Sequence, residues 1–258
     1  IRLLAFEKWA TEQNFKYLEL VSANTILANC IRMWCEENEI EFSWRRLQEM
    51  KDSKSIIKRF YGYLPIPLQA LVWFVFYFGS RWPLRGKGLE EWKSTKGRIT
   101  FVSYLFNLEP ESASTGRYES LYWAHLPDSL CQDGIETNWL HIYDKHKLLP
   151  TAKNAADAVI RFNQKGRGKQ IHTTLDSFLG WKVLRNSLFD WIRLLKAGSK
   201  LQRLGSSDIG EGFYLWPFIQ MDLKESLYGL TALNNLLYFN LFERALELLP
   251  EQKRGFYL

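Results

Sequence analysis

The sequence predicts an α/β protein built on a doubly wound parallel sheet, and three observations carry that prediction. Short apolar runs rich in β-branched and aromatic residues alternate with amphipathic helical runs, the order that builds parallel βαβ units. Ile99–Phe106 is apolar throughout and has turn residues at both ends, as a strand buried on both faces requires. The chain has 258 residues and 47% apolar content, enough for a full core.

Phe15–Val21 is expected to be the first strand. Asn24 caps the next helix, because its side-chain oxygen can accept from a backbone N–H that the first turn leaves unpaired. Ile26, Leu27, Cys30, Ile31 and Trp34 form that helix's apolar stripe, and Glu41–Trp44 closes a first βαβ unit.

Residues 51–96 read as a basic and apolar insertion. Between Arg45 and Arg98 twelve basic residues face four acidic ones, so the net charge of +6 is one island and the remainder of the chain is slightly acidic. Inside the island, Phe60–Ser80 carries no charge. Pro65 and Pro67 limit a helix there to about Leu68–Phe78, roughly 16 Å at about 1.5 Å per residue, or about half a hydrocarbon core of ~30 Å. A transmembrane span is therefore not expected. Two environments fit. One is a membrane interface, with Leu71, Phe74 and Phe76 docking, Trp73, Tyr77 and Trp82 at headgroup level and the basic island, Arg81 and Arg85 included, on anionic lipid. The other is a buried core helix with solvated basic flanks.

The centre of the chain predicts strand Ile99–Phe106, polar loop Asn107–Gly116, and a helix carrying Tyr118, Leu121, Leu126 and Leu130 that Pro127 kinks or restarts. Gly134 ends the helix, and strand Ile135–Tyr143 follows. In open parallel sheets ligands bind beyond the carboxyl ends of the strands. That edge is expected to carry Asn107, Glu109, Arg117, Tyr118, His141 and Asp144.

Lys145–Pro150 leads out of this unit to a helix at Ala152–Asn163. Gln164–Gln170 is a basic, glycine-rich segment without phosphate-loop spacing, and it reads as an exposed loop. A long amphipathic helix starts at Thr174 or Asp176, with the stripe Leu184, Leu188, Trp191, Ile192 and Leu195, and Gly198 ends it. Lys200–Gly212 is a polar loop. Asp222 and Glu225 have capping-box spacing for a helix to Leu249, stopped by Pro250, and Phe256–Leu258 begins another strand.

Three cysteines, with no CxxC pair, give neither a disulfide framework nor a zinc site. The chain lacks an initiating Met and stops in what reads as a strand, so a fragment of a longer two-domain protein is expected. There is no GxSxG, HExxH or Walker lysine. The Asp-x-Asp pair with which many sugar transferases hold a metal is missing too, so no metal is expected. His141 ends a strand on the ligand edge, where it is either a general base or a satisfied structural histidine. Glu109, Tyr118, Tyr122 and Trp123 suit a sugar, whose ring stacks on aromatic faces while its hydroxyls meet carboxylates. A solvated loop followed by a core helix fits them as well.

The runs FVSYLFNLEPESASTGRYESLYWAHLPDSL and NWLHIY resemble the central motif of a family of bacterial surface-carbohydrate biosynthesis proteins found among O-antigen and capsule genes. LPIPLQALVWFVFYFGSRWPLRGKGLEEW and FNLFERALELLPEQKRGFYL resemble the same family. The resemblance implies two facing Rossmann-like domains in the GT-B arrangement, with this chain as the N-terminal, acceptor-binding half. It implies a glycosyltransferase that moves sugar from a nucleotide sugar to a lipid-linked glycan, without another cofactor, peripherally at the cytoplasmic face of the inner membrane. It brings no catalytic residues with it. His141 and Glu109 are the expected catalytic groups, and Asn107, Arg117, Tyr118, Tyr122, Trp123 and Asp144 the expected substrate contacts. A non-catalytic glycan-binding or scaffolding protein of the same pathway is the alternative. A nucleic-acid partner is not expected, because the basic island contains no recognised module.

Overall fold

The computed structural model describes residues 2–13, 15–47, 61–204 and 216–257. Its helices in chain order are α1 (Arg2–Gln13), α2 (Thr25–Glu37), α3 (Ile66–Arg81), α4 (Leu89–Lys93), α5 (Ser112–Thr115), α6 (Leu126–Gln132), α7 (Ala152–Gly166), α8 (Trp181–Leu204), α9 (Trp216–Tyr228) and α10 (Leu230–Glu247). The strands are β1 (Tyr17–Ser22), β2 (Glu41–Arg46), β3 (Ile99–Tyr104), β4 (Thr137–Ile142), β5 (Gln170–Thr174) and β6 (Arg254–Tyr257). The protein is α/β, and the strands pair in parallel, as a Rossmann-like fold requires. They form two sheets rather than one: β1-β2, and β5-β4-β3-β6.

Two compact units hold these sheets. One comprises Ile1–Ala70 and Arg193–Ala232, the other Leu71–Ile192 and Leu233–Leu258. In the first, β1, α2 and β2 form the expected βαβ unit. Asn24 caps α2 by accepting from the Leu27 N–H at 3.0 Å, and Ala10, Ile31, Trp34 and Cys35 form a small core.

The second unit is built around the four-stranded sheet. Ser103, His141 and Thr174 lie in one row across β3, β4 and β5. Phe101, Leu105, Trp139 and Tyr143 share one face of that sheet and pack with Ala155, Ala158 and Phe162 of α7. The Phe101 and Trp139 rings stack at 4.4 Å. Elsewhere in this unit the Trp92 indole donates to the Ala245 carbonyl at 2.9 Å, tying α4 to α10.

Several expectations are corrected. The long central helix is not formed: Ser120 bridges Leu108 and Ala124 through a turn, and α6 starts only where Pro127 can take a first-turn position without losing a hydrogen bond. Gln164–Gln170 is not a loop throughout, since α7 runs to Gly166 and the chain turns through Arg167 and Gly168, both at positive φ, into β5. The helix expected to start at Thr174 or Asp176 starts at Trp181, after β5 and a 3-10 turn at Leu175–Phe178. Gly198 does not end that helix; a Cβ there would come 3.0 Å from the Tyr228 hydroxyl, so glycine serves close packing within the first unit. The last predicted helix is two helices, broken at Gly229.

The segment 71–96 is not an appended insertion. Leu84 and Trp92 are fully buried, and Leu84 belongs to the core that holds Phe101 and Trp139. The part of the insertion over 51–60, and residues 205–212 of the predicted polar loop, lie outside the described residues.

Candidate functional site

The residues expected on the ligand edge do not come together. His141 is fully buried within the sheet, not at its edge. Its Nε2 and the His172 Nδ1 share a hydrogen bond at 3.0 Å, and Tyr118 lies across both rings at 5.0 and 4.9 Å. Burial drives the His141 imidazole down to about 3 and holds His172 well below the usual histidine range, so both are neutral at pH 7. Burial also pushes the Tyr118 phenol up to about 12. His141 is a core group, and Tyr118 is buried beside it while also lining a cavity with Arg117, so the expected placement of His141 on the ligand edge is corrected.

The other expected contacts are scattered. Arg117 is exposed, pairs with Asp128 and with Glu119 at 3.3 Å, and lines one cavity with Tyr118 and with Gln170, the first residue of β5. That is the amino end of the sheet, opposite to the edge expected. Tyr122 is 60% exposed, whereas Trp123 packs edge-on against Phe101 at 5.0 Å. Glu109 and Asn107 are half-buried, and their backbones pair with Glu119 and Leu121. Asp144 is exposed just past β4, with its carboxylate accepting from the Lys145 N–H at 2.8 Å.

The membrane-docking set also divides. On α3, Phe74, Tyr77 and Arg81 recur at helical spacing and share a face: Phe74 is buried, and the other two reach the sheet. Val75 and Phe76 point away and are 70% and 73% exposed. Leu71 and Trp73 are half-buried, and Trp82 and Arg85 are exposed. No helix among the described residues is long and apolar enough to cross a membrane.

What does converge beyond the carboxyl ends of the strands is a group of tyrosines around one arginine and one aspartate. The segment after α3 is laced to β5 and the turn after it. The Gly86 N–H donates to Ser177 O at 2.9 Å, Thr173 Oγ1 donates to Lys87 O at 2.9 Å, and Arg85 Nε donates to Leu179 O at 3.0 Å. Gly88, at φ +71°, passes so close to the His172 carbonyl that a Cβ would lie 2.2 Å from it, so only glycine fits. This lacing sets Arg81 and Tyr77 beside Asp176, two residues past β5.

Tyr77 donates to Asp176 Oδ1 at 2.6 Å. The Asp176 side chain is inaccessible, at 2% exposure for the residue. Burial pushes its carboxyl up to about 6, against the lowering pull of the Tyr77 hydrogen bond and the Arg81 charge. The Tyr77 phenol is raised far above its ordinary range, by burial first and the Asp176 charge second, so it keeps its proton. The Arg81 guanidinium lies 4.3 Å from the centre of the Tyr143 ring and 5.4 Å from that of Tyr77, and its Nη1 is buried without a hydrogen-bond partner. A buried cationic N–H with no acceptor costs stability unless something else meets it.

Tyr238 of α10 stands beside this group, its phenol raised by burial and by Asp176. Farther across, the hydroxyls of Tyr104 and Tyr257, on the adjacent strands β3 and β6, stand 3.4 Å apart. The chain steps from β3 outward to β4 and β5, and β6 returns on the other side of β3. Tyr104 and Tyr257 therefore flank the point where strand order reverses, which is where open parallel sheets bind ligands. Phenol hydroxyls that donate and accept, an arginine and a carboxyl poised near 6 can hold a hydroxyl-rich or anionic ligand and take up a proton.

Sequence reasoning missed Asp176, Tyr143 and Tyr238. A signal for Asp176 existed: the β-branched run Ile171, Thr173, Thr174 follows a glycine turn and so marks a strand end. Among the described residues no group of three or more His, Cys, Asp or Glu is placed to hold a metal ion. Comparison of the chain with protein-family models, with curated proteins and with solved structures gave no match.

Proposed function

We propose that this chain is the acceptor-binding half of a glycosyltransferase of bacterial surface-polysaccharide synthesis, with a Rossmann-like doubly wound fold of the GT-B kind. It would accept sugar from a nucleotide sugar onto a lipid-linked glycan at the cytoplasmic membrane face. One observation carries the reading at the level of the site: Tyr77, Arg81, Tyr143, Asp176 and Tyr238 converge past the carboxyl ends of a parallel sheet. In this reading the tyrosines and Arg81 hold the acceptor. As the acceptor oxygen bonds the sugar carbon and the bond to the nucleotide phosphate breaks, releasing the nucleotide, the acceptor's proton passes through the Tyr77 hydroxyl to Asp176.

The burial of Asp176 favours a second reading, glycan binding without turnover, because an inaccessible carboxylate reaches a ligand only through a neighbour.

The deciding experiment incubates the full-length protein with UDP-, GDP-, dTDP- and CMP-sugars and a polyprenyl-linked glycan extract, following nucleotide release and product mass. Transfer from one donor is expected, with Asp176→Asn slowing it about 10²-fold or more and leaving KM for the acceptor nearly unchanged. Glycan binding without release from any donor selects the second reading.

A further inference from the structure

The two segments that position Arg81 and Asp176 continue into a second feature. Trp82, Arg85, Lys93, Trp181, Lys182 and Arg244 line an open cavity of about 620 Å³, a size typical of small-molecule sites. Four of the six are cations, and no carboxylate lines the cavity. Outside it, Glu247 meets Lys182 at 3.1 Å and Arg244 at 2.8 Å, and Glu90 meets Lys93 at 2.8 Å. Two carboxylates thus stand against four cations, and a positive surplus remains. Arg85 is held by its bond to the Leu179 carbonyl and lies over the Trp82 ring, 4.6 Å from its centre, which restrains the guanidinium and leaves its remaining N–H groups for an anion.

The rim of the cavity is aromatic. Trp181 is 78% and Trp82 45% exposed, and the Phe78 ring touches both, at 6.5 and 4.9 Å. Trp181 also opens the 24-residue helix α8, whose first turn carries no acidic residue, so the positive end of its backbone adds to the surplus. A multiply charged anion satisfies the cations, and a planar or apolar neighbour covers the tryptophans. Phosphate esters combine the two.

We propose that this cavity binds a phosphate-bearing ligand, its phosphate on Arg85, Lys182 and Arg244 and its planar or apolar remainder on Trp82 and Trp181. The ligand is either a nucleotide or a lipid phosphate. Both the nucleotide donor and the lipid-linked acceptor of the proposed function belong to this ligand class, but binding here does not depend on transfer.

The test titrates full-length protein with inorganic pyrophosphate, UDP and a short-chain prenyl diphosphate, following tryptophan fluorescence and heat at two salt concentrations. Saturable binding is expected, tighter for one organic ligand than for pyrophosphate and weaker at high salt. Lys182→Gln with Arg244→Gln should weaken it about tenfold or more, and Trp181→Ser should remove the advantage over pyrophosphate. Tighter prenyl diphosphate identifies a lipid source, and tighter UDP a nucleotide. Lys182, Arg244 and Trp181 lie in the surface of the unit, so these variants keep the fold even where Arg85→Gln disturbs it. The proposal is overturned if none of the three ligands saturates, if the double substitution leaves affinity unchanged, or if all three bind equally. Sugar transfer is not read in this experiment, so its failure and that of the proposed function are distinguishable.

Discussion

A buried histidine pair and a buried carboxyl act on this protein's stability with opposite signs. His141 and His172 are held neutral in the fold by burial. Below the unfolded histidine pKa, near 6.5, the unfolded chain binds protons that the folded one refuses, so stability falls as pH falls. At pH 5 the His141 share alone is about 2 kcal/mol, from ~1.5 units at ~1.4 kcal/mol each. Asp176 works the other way. Its folded carboxyl is raised from 3.8 to about 6, so the folded state holds the extra proton between those values. Its contribution is present at low pH and lost as pH rises through that window, by roughly 3 kcal/mol in all. Urea unfolding followed from pH 7 to pH 4 separates them. In the Asp176→Asn protein the fall in stability on acidification should be steeper than in the unchanged chain. In a His141→Phe, His172→Phe double variant the fall should vanish, leaving stability flat or rising toward pH 4. An unchanged acid limb in the double variant would remove the histidine pair as its cause.

At the scale of elements, α3 shows what a period can and cannot say. Its uncharged run announced a helix, but apolar residues cover its whole circumference, so nothing in the pattern singled out the buried face. The partners do: Phe74 is buried and Tyr77 and Arg81 reach Asp176 and Tyr143, while Val75 and Phe76 are left outside. Phe74→Ala should cost about 3–5 kcal/mol, whereas Phe76→Ser should stay within about 0.5 kcal/mol. If the outward face docks on membrane, the same Phe76→Ser protein will sediment less with anionic liposomes. Strand β5 failed to show for the opposite reason. Gln170, His172, Thr173 and Thr174 are polar yet buried, each hydrogen-bonded to a partner distant in sequence or just beyond the strand: the Pro127 and Lys87 carbonyls, His141 and Ser177. Burial of that kind leaves no hydrophobic period to read. By contrast β3, β4 and the βαβ unit at β1–β2 were legible, because each keeps enough apolar, β-branched and aromatic residues to show, even where β4 buries Asn138 and His141. The site was legible only in principle, as a sheet edge. Its residues come from α3, the position just past β4, the turn after β5 and α10, and no local pattern joins them.

At the scale of the whole molecule, each compact unit is assembled from two separate stretches of chain. The unit with the four-stranded sheet needs both. Leu233, Leu237, Leu241 and Ala245 of α10 are buried, and Phe256 of β6 stacks on Phe101 at 5.1 Å. A polypeptide of residues 71–192 therefore lacks one strand and part of the core. It should show no cooperative urea transition and no near-ultraviolet circular dichroism, while the chain through 258 shows both. A cooperative transition in the short polypeptide would mean that α10 and β6 are accessory.

The position of β6 also sets a timetable for synthesis. Gly97, at the head of β3, meets Gln252, at the approach to β6, across a gap of 155 residues. At ribosomal speeds of about 5–20 residues per second, β3 is made roughly 10–30 seconds before its neighbour exists. For that interval one side of the sheet offers a row of bare amide and carbonyl groups to any other nascent chain. A translation pause after β5 would lengthen the hazard, and a chaperone that covers strand edges would shorten it.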